Sequence, residues 1–269
     1  MLLRFDETWM VPPGAPVARD LPLNQAQAFA AAAEAAGVAL PVPVRGTVYG
    51  ALMNDPASLF ALGDAVAAAP YKAAPKAPVL QVKPRNTWGG HGGVVTLPPG
   101  AEALRMGATL GVLIGRVACR LDEATALQAV AGYTVVNDLE VPSDPLDRVD
   151  RTDRHYRPAL RRKAADGLCP IGPWVRAAAA VADPDALAVS TWVDGELVQQ
   201  GSTAGRLRSV ARLLAEVTEF MTLQPGDLLL LGPAEGGPLV RAGQRVDIEI
   251  ESVGRLSHRV AAAVEGSPA

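Results

Sequence analysis

Frequent turns are the feature of this sequence that most restricts its fold. The 269 residues include 23 prolines and 26 glycines, which separate many short apolar segments. Because both residue types favour turns and disfavour helix interiors, a strand-rich fold is favoured over a helical bundle. Hydrophobic residues make up 49% of the chain and aromatic residues 4%, so we expect a full core built of Val, Leu, Ile and Ala.

Local patterns predict the individual elements of this fold. Apolar, β-type segments predict strands at 46–53, 79–82, 105–119, 133–136, 186–193, 196–199, 228–231, 243–250 and 255–260. Capping residues and apolar spacing predict helices at 25–36, 57–69, 122–130 and 206–220. Asp194-Gly195 predicts a two-residue hairpin. The prolines near residue 43 divide the chain into an N-terminal arm with a short helix, 1–44, and one larger domain, 45–269.

Charge and composition argue against several classes of partner. A formal net charge of -3 lacks the excess positive charge that is typical of nucleic-acid-binding proteins. No apolar run reaches membrane-spanning length, and the first residues do not fit a signal peptide. Cys119 and Cys169 are too few for a disulfide scaffold, so we expect reduced thiols and a cytoplasmic location.

The stretch 131–174 is the best candidate for a functional site. An apolar strand ends at Asn137-Asp138, and a group of cations that includes Arg162 and Lys163 follows. A carboxylate at the end of a buried strand, followed by cations, suits an anionic small molecule and also a metal ion. An ordinary turn followed by a solvated charged face would give the same pattern.

Five phrases, taken together, resemble the fumarylacetoacetate hydrolase family. They are LGVLIGR (110–116), AGYTVVNDLEVP (131–142), KAADGLCPIGPW (163–174), VDGELVQQGST (193–203) and FMTLQPGDLLLLG (220–232). The resemblance implies a mixed α/β, β-rich fold, a mixed β-roll with flanking helices that is usually dimeric. Within the family, the segments 70–87, 105–116 and 155–174 are most similar to the N-terminal half of the decarboxylase/isomerase branch of homoprotocatechuate (4-hydroxyphenylacetate) degradation.

This resemblance implies chemistry on oxo-acids. The family chelates a 2-oxo-carboxylate on a divalent metal, Mg or Mn, through a Glu-x-Glu pair and the Asp of an Asn-Asp motif. Here Gly107 and Thr109 replace the two Glu ligands, and only Asp138 remains. Neither replacement supplies a charged oxygen, so we expect metal binding to be weak or absent.

The resemblance also implies the residues of the site. Lys163 matches the family's active-site lysine, which together with Asp138 makes the predicted catalytic pair. The predicted substrate-binding residues are Lys83, Arg85, Tyr156, Arg157, Gln200 and Thr203. In the family, a lid segment often carries a His and a Glu that act as acid–base partners. The corresponding segment here is Asn54-Asp55-Pro56, so neither partner is present at the matching position.

Three functions stay open at this point. The chain resembles a subunit that decarboxylates 5-oxopent-3-ene-1,2,5-tricarboxylate or isomerises 2-hydroxyhepta-2,4-diene-1,7-dioate. Isomerisation needs only a proton shuttle, and therefore tolerates loss of the metal better. Alternatively, the chain is a non-catalytic partner of a homologous subunit, or a hydrolase of another oxo-acid. Both a homodimer and a heterodimer with a homologous subunit stay open.

Overall fold

The computed structural model describes residues 23–68, 72–142 and 162–263, and most of its regular structure is strand. The strands are β1 (Val48–Leu52), β2 (Val79–Lys83), β3 (Trp88–Gly89), β4 (Val94–Thr96), β5 (Leu104–Arg105), β6 (Ala108–Ile114), β7 (Val130–Asn137), β8 (Cys169–Ala177), β9 (Ala188–Val193), β10 (Glu196–Ser202), β11 (Leu228–Leu230), β12 (Leu239–Val240), β13 (Arg245–Ile250) and β14 (Gly254–Ala261). The α-helices within these residues are α1 (Leu23–Ala35), α2 (Pro56–Leu62) and α3 (Val210–Phe220), and short 3-10 turns lie at Gly63–Val66, Arg85–Thr87, Ala126–Ala129 and Ala178–Ala180.

The larger sheet must curl, because its two outer strands are neighbours in sequence. Its seven strands lie in the order β2-β1-β11-β6-β7-β8-β3, so β2 and β3 are the outermost. Yet only the segment 84–87, which contains one 3-10 turn, joins the end of β2 to the start of β3. A flat sheet would hold these strands six strand spacings apart, roughly 28 Å. The curl therefore brings the end of β2 close to β7 and β8.

The concave face of this sheet carries its own apolar cluster. Side chains alternate along β7, so Val136 and Asp138 point to the same face. Val136 packs with Val48, Leu113 and Leu228 in a cluster of buried residues. Asp138, just beyond the last residue of β7, thus lies at the edge of a buried apolar interior.

The second sheet and the helices cover the rest of the core. Five strands follow the order β10-β9-β13-β14-β4, and β5 pairs with β12 in a separate ribbon. The buried side of α3 contributes Leu213, Leu214 and Val217 to the main core. Helix α1 packs against Trp174 and is tied to β13 by an ion pair between Glu34 and Arg245.

The predicted β-rich fold class with flanking helices is confirmed, and most predicted strands are present. The helix predicted at 122–130 is wrong: only the 3-10 turn Ala126–Ala129 forms, because Val130 already begins β7 and the Ala129 carbonyl accepts from Gly115 N. The helix predicted at 57–69 ends at Leu62. Within the described ranges, no helix has the length and apolar character needed to cross a membrane.

Candidate active site

A cavity of about 520 Å3 opens at the end of β7. Its floor includes Gly107, Asp138, Glu140 and Lys163, and the segment 233–237 forms one wall. This volume is within the usual range for small-molecule sites, roughly 300–1,000 Å3. The two residues predicted to be catalytic, Asp138 and Lys163, therefore line one common cavity.

A second wall comes from α2 and the residues before it, where the family lid was expected. Asp55 caps α2 by accepting from Ala57 N, and its other carboxylate oxygen accepts from Glu235 N at 2.7 Å. Ser58 Oγ donates to Glu235 Oε2 at 2.8 Å. These bonds fasten α2 to the opposite wall. Asn54 is buried and donates to Arg208 and Leu231 carbonyls, so it has a structural role.

Register between β6 and β7 places Asp138 beside Gly107. Ala108 pairs with Asn137 at the end of the two strands, and Asp138 N donates to Gly107 O at 2.8 Å. Gly107 N in turn donates to Asn137 Oδ1. A Cβ atom at position 107 would lie 2.3 Å from the Asp138 carbonyl oxygen, far inside contact distance. Glycine is thus needed there for close backbone approach.

The carboxylate of Asp138 is buried and surrounded by nitrogen donors. Lys83 Nζ lies 2.5 Å from Oδ1, and Gln81 Nε2 donates to Oδ2 at 2.7 Å. Lys163 Nζ is 3.5 Å from the same Oδ2. The side chains of Asp138 and Lys83 are 1% and 0% exposed, whereas Lys163 is 20% exposed. Lys163 therefore faces the cavity, and Lys83 lies behind Asp138.

Glu140 is a site residue that the sequence prediction missed. Its Oε2 is 3.3 Å from Lys163 Nζ, and its Oε1 is 3.7 Å from both Arg105 and Arg162. The spacing Asp138-x-Glu140 was the available signal, because residues two apart in an extended chain share a face. Gln81 was also missed; Gly50, on the neighbouring strand, leaves room for its carboxamide.

The site is positively charged within its ion-pair network. Four cations, Lys83, Lys163, Arg105 and Arg162, face two carboxylates, which leaves a net charge of +2. Glu235 on the opposite wall lowers this total to +1, and the described lining without Lys83 has three cations and three carboxylates. The cations of the lining, Arg105, Arg162 and Lys163, are partly exposed, so each can pair with an anionic ligand.

Cys169 lies below this site and is fully buried. Burial raises the pKa of its thiol to about 12; the charge of Asp138 adds to this effect, and Lys83 and Lys163 oppose it. A thiol with this pKa stays protonated at neutral pH and is a poor nucleophile.

The other predicted residues lie elsewhere or outside the described ranges. Arg85 is exposed, with its guanidinium 5.5 Å from the centre of the Trp88 ring. Thr203 is buried, and its hydroxyl accepts from Leu187 N. Gln200 pairs with Ser190 on the second sheet. None of these predicted residues belongs to the described lining of the cavity.

Two further predicted residues, Tyr156 and Arg157, lie outside the described residues. The roles assigned to them, and to the predicted site residues as a set, stay predictions.

The donor set does not fit a divalent metal. Asp138, the remaining family ligand, already contacts two ammonium groups and a carboxamide. Thr109 carries a buried hydroxyl with no hydrogen-bond partner, which supplies no charge. In the three described ranges, no group of three His, Cys, Asp or Glu side chains could hold an ion. Hard divalent cations need several oxygen ligands, usually with carboxylates among them.

Comparison with known proteins assigns the chain to a family. The family model described as fumarylacetoacetate (FAA) hydrolase C-terminal matches residues 47–261. The chain belongs to the fumarylacetoacetate hydrolase family. The resemblance seen in the sequence is thus confirmed.

Named relatives of this family member include bifunctional enzymes. It is 41% identical over 186 residues to the 4-hydroxyphenylacetate degradation bifunctional isomerase/decarboxylase of Salmonella dublin, covering 69% of this chain and 42% of the relative. The Escherichia coli protein of the same name is 35% identical over 217 residues, covering 81% and 47%. The chain therefore spans less than half the length of these two relatives.

Two solved structures of proteins named as isomerases are similar over more of their length. A 5-carboxymethyl-2-hydroxymuconate delta-isomerase from Mycobacterium smegmatis has a TM-score of 0.67 and 28% identity, covering 84% of this chain and 82% of that one. A 2-hydroxyhepta-2,4-diene-1,7-dioate isomerase from Mycobacterium marinum has a TM-score of 0.64 and 25% identity, covering 84% and 78%.

Proposed function

We propose that this chain isomerises a 2-hydroxy-2,4-dienedioate such as 2-hydroxyhepta-2,4-diene-1,7-dioate, in 4-hydroxyphenylacetate breakdown, by proton transfer without a bound divalent metal. The observation that carries the proposal is the position of Lys163, whose ammonium bridges Asp138 and Glu140 at the cavity floor. The names of the relatives support the pathway and the reaction class.

The reaction moves one proton off oxygen and one onto carbon. The hydroxyl proton at C2 leaves, the O–H electrons form the C2 carbonyl, and the two double bonds collapse to one between C3 and C4. C5 then takes a proton, so the formula is unchanged. Lys163 stabilises the negative charge that develops on the C2 oxygen, and Glu140 carries the proton.

Two partly exposed guanidinium groups support a substrate with two carboxylates. Arg105 and Arg162 are 39% and 37% exposed and flank Glu140, so each can turn a guanidinium edge toward a carboxylate. The fully buried pair of Lys83 and Asp138 cannot take this role without rearrangement.

Turnover of the dienol in deuterium oxide tests this proposal. The purified chain, treated with chelator, is mixed with the dienol, and loss of the conjugated absorbance is followed. We expect product with one deuterium at C5, seen by NMR, and a large loss of rate in Lys163→Met. The exposed Lys76→Met is the matched control and should behave as wild type.

Other results would support the alternatives. Release of carbon dioxide from the tricarboxylate, with no isomerisation of the dienol, would replace this proposal by decarboxylation. Binding without turnover, with activity only after addition of a homologous subunit, would make the chain a partner. Turnover only with added Mn2+ would contradict a metal-free mechanism.

A further inference from the structure

We propose that Lys83 is a positioning residue whose ammonium supplies, beside Asp138, the positive charge that a divalent metal supplies in other family members. Lys83 Nζ contacts Asp138 Oδ1 at 2.5 Å and donates to the Lys163 carbonyl oxygen at 2.8 Å. One buried ammonium thus fixes both the carboxylate and the backbone of the lysine that faces the cavity.

The backbone at Gly107 closes the site to further carboxylate ligands. The Asp138 carbonyl occupies the space that a Cβ atom at position 107 would need, at 2.3 Å. An acidic side chain there would have to displace the end of β7 and with it Asp138. The glycine at position 107, where the family has its first Glu ligand, is therefore linked to the buried position of Asp138. For this reason, restoring Glu at positions 107 and 109 alone would not restore a metal site.

Removal of Lys83 would leave the buried Asp138 Oδ1 without its cation, with Lys163 at 3.5 Å from the other oxygen. A buried carboxylate that loses its counter-ion is strongly destabilised. Asp138 in Lys83→Ala should therefore recruit a cation from solution. The side-chain atoms lost in this substitution correspond to propylammonium, which fits the vacated space.

Two measurements test this inference, and the first does not depend on the proposed function. Mn2+ binding is followed by electron paramagnetic resonance without substrate. We expect no stoichiometric binding to wild type or to Gly107→Glu/Thr109→Glu. Stoichiometric binding to wild type that Asp138→Ala abolishes would overturn the inference, whatever the chain catalyses.

The second measurement rests on the proposed isomerase activity. We expect Lys83→Ala to lower kcat by about 10- to 100-fold, as for other groups that orient an active site. Propylamine should restore turnover in a saturable manner, and propanol should not.

Lys83→Arg, which keeps the charge, reports on the site if Lys83→Ala does not fold, and it should keep more activity than Lys83→Met. Lys76→Ala is the control. Unchanged turnover in folded Lys83→Ala, or equal rescue by propanol, would refute the role of the ammonium.

Discussion

Glu140 and Lys163 form an ion pair at the cavity floor, with Oε2 and Nζ 3.3 Å apart. The pair is only about one-fifth exposed on each side, so a ligand in the cavity would contact both groups. Glu140 lies in the position that a proton carrier requires, next to the cation that would hold the substrate oxygen.

We therefore expect Glu140→Gln to lower kcat by about 100-fold, the usual loss for a general acid–base group, with little change in KM. Steady-state kinetics on the dienol measure both constants. Glu196→Gln, on an exposed part of β10, is the matched control. Wild-type kcat in Glu140→Gln would remove this residue from proton transfer.

Arg105 and Arg162 give a separate prediction about substrate charge. Both guanidinium groups are 3.7 Å from Glu140 Oε1 and partly exposed. Replacing either with Gln should raise KM for the dicarboxylate by about tenfold, equivalent to about 1.4 kcal/mol, and raise it less for a monoester. Arg116→Gln, outside the cavity lining, should leave KM unchanged. Equal effects on dicarboxylate and monoester would argue against a carboxylate clamp.

Gly107 permits a test of how tightly the strand ends must close. In Gly107→Ala the new Cβ would meet the Asp138 carbonyl, so we expect a loss of about 2 kcal/mol in unfolding free energy and a lower kcat. Gly201→Ala is a matched control, because no atom lies within 4 Å of its Cβ position. Urea unfolding and kinetics measure the two effects. Equal stability of both variants would show that the backbone at 107 relaxes freely.

Local chemistry explains the parts of the fold that the sequence predicted well. Asp194 and Gly195 have φ values of 51° and 85°, as a two-residue hairpin turn between β9 and β10 requires. Helix α3 begins after the Ser209 cap, later than predicted, so Leu207 lies outside it and is exposed, whereas the apolar residues at 210, 213, 214 and 217 are buried as their spacing predicts. These signals depend on neighbours along the chain, which a single sequence shows directly.

The missed features depend on distant parts of the chain. The segment Cys-Pro-Ile-Gly-Pro-Trp has no strand pattern, yet it is part of β8, where pairing with β7 and β3 overrides local preference. Contact between Lys83 and Asp138 follows from the curl of the seven-stranded sheet, which joins elements far apart in strand order. The family resemblance predicted Asp138 and Lys163, and the spacing Asp138-x-Glu140 offered a signal for Glu140 that was not used. Only the contact of Gln81 with Asp138 required knowledge of the packing.

His258 is a buried titratable group that contacts Asn137, next to the site, and it should make stability depend on pH. It is 1% exposed, and burial is the main reason that its pKa is lowered to about 4. Asn137 Oδ1 accepts from Gly107 N, so its Nδ2 donates to His258 Nε2 at 3.0 Å. This hydrogen bond therefore requires the neutral imidazole. If Nε2 were protonated, its N–H would point at the N–H of Asn137 Nδ2, and the hydrogen bond would be lost.

Stability should consequently fall as the solution becomes more acidic. Between the unfolded pKa of about 6.5 and the folded pKa of about 4, the unfolded chain binds more protons, so its free energy is lowered relative to the folded chain. We expect this group to cost about 2 kcal/mol between pH 7 and pH 5. Urea unfolding at the two pH values measures the loss. His258→Gln keeps an acceptor for Asn137 but does not titrate, so this variant should lose about 2 kcal/mol less unfolding free energy than wild type over the same pH change. Part of the pH dependence that remains in the variant comes from His91, whose pKa is also lowered by burial. The same pH dependence in wild type and His258→Gln would show that the buried imidazole is not the group that responds.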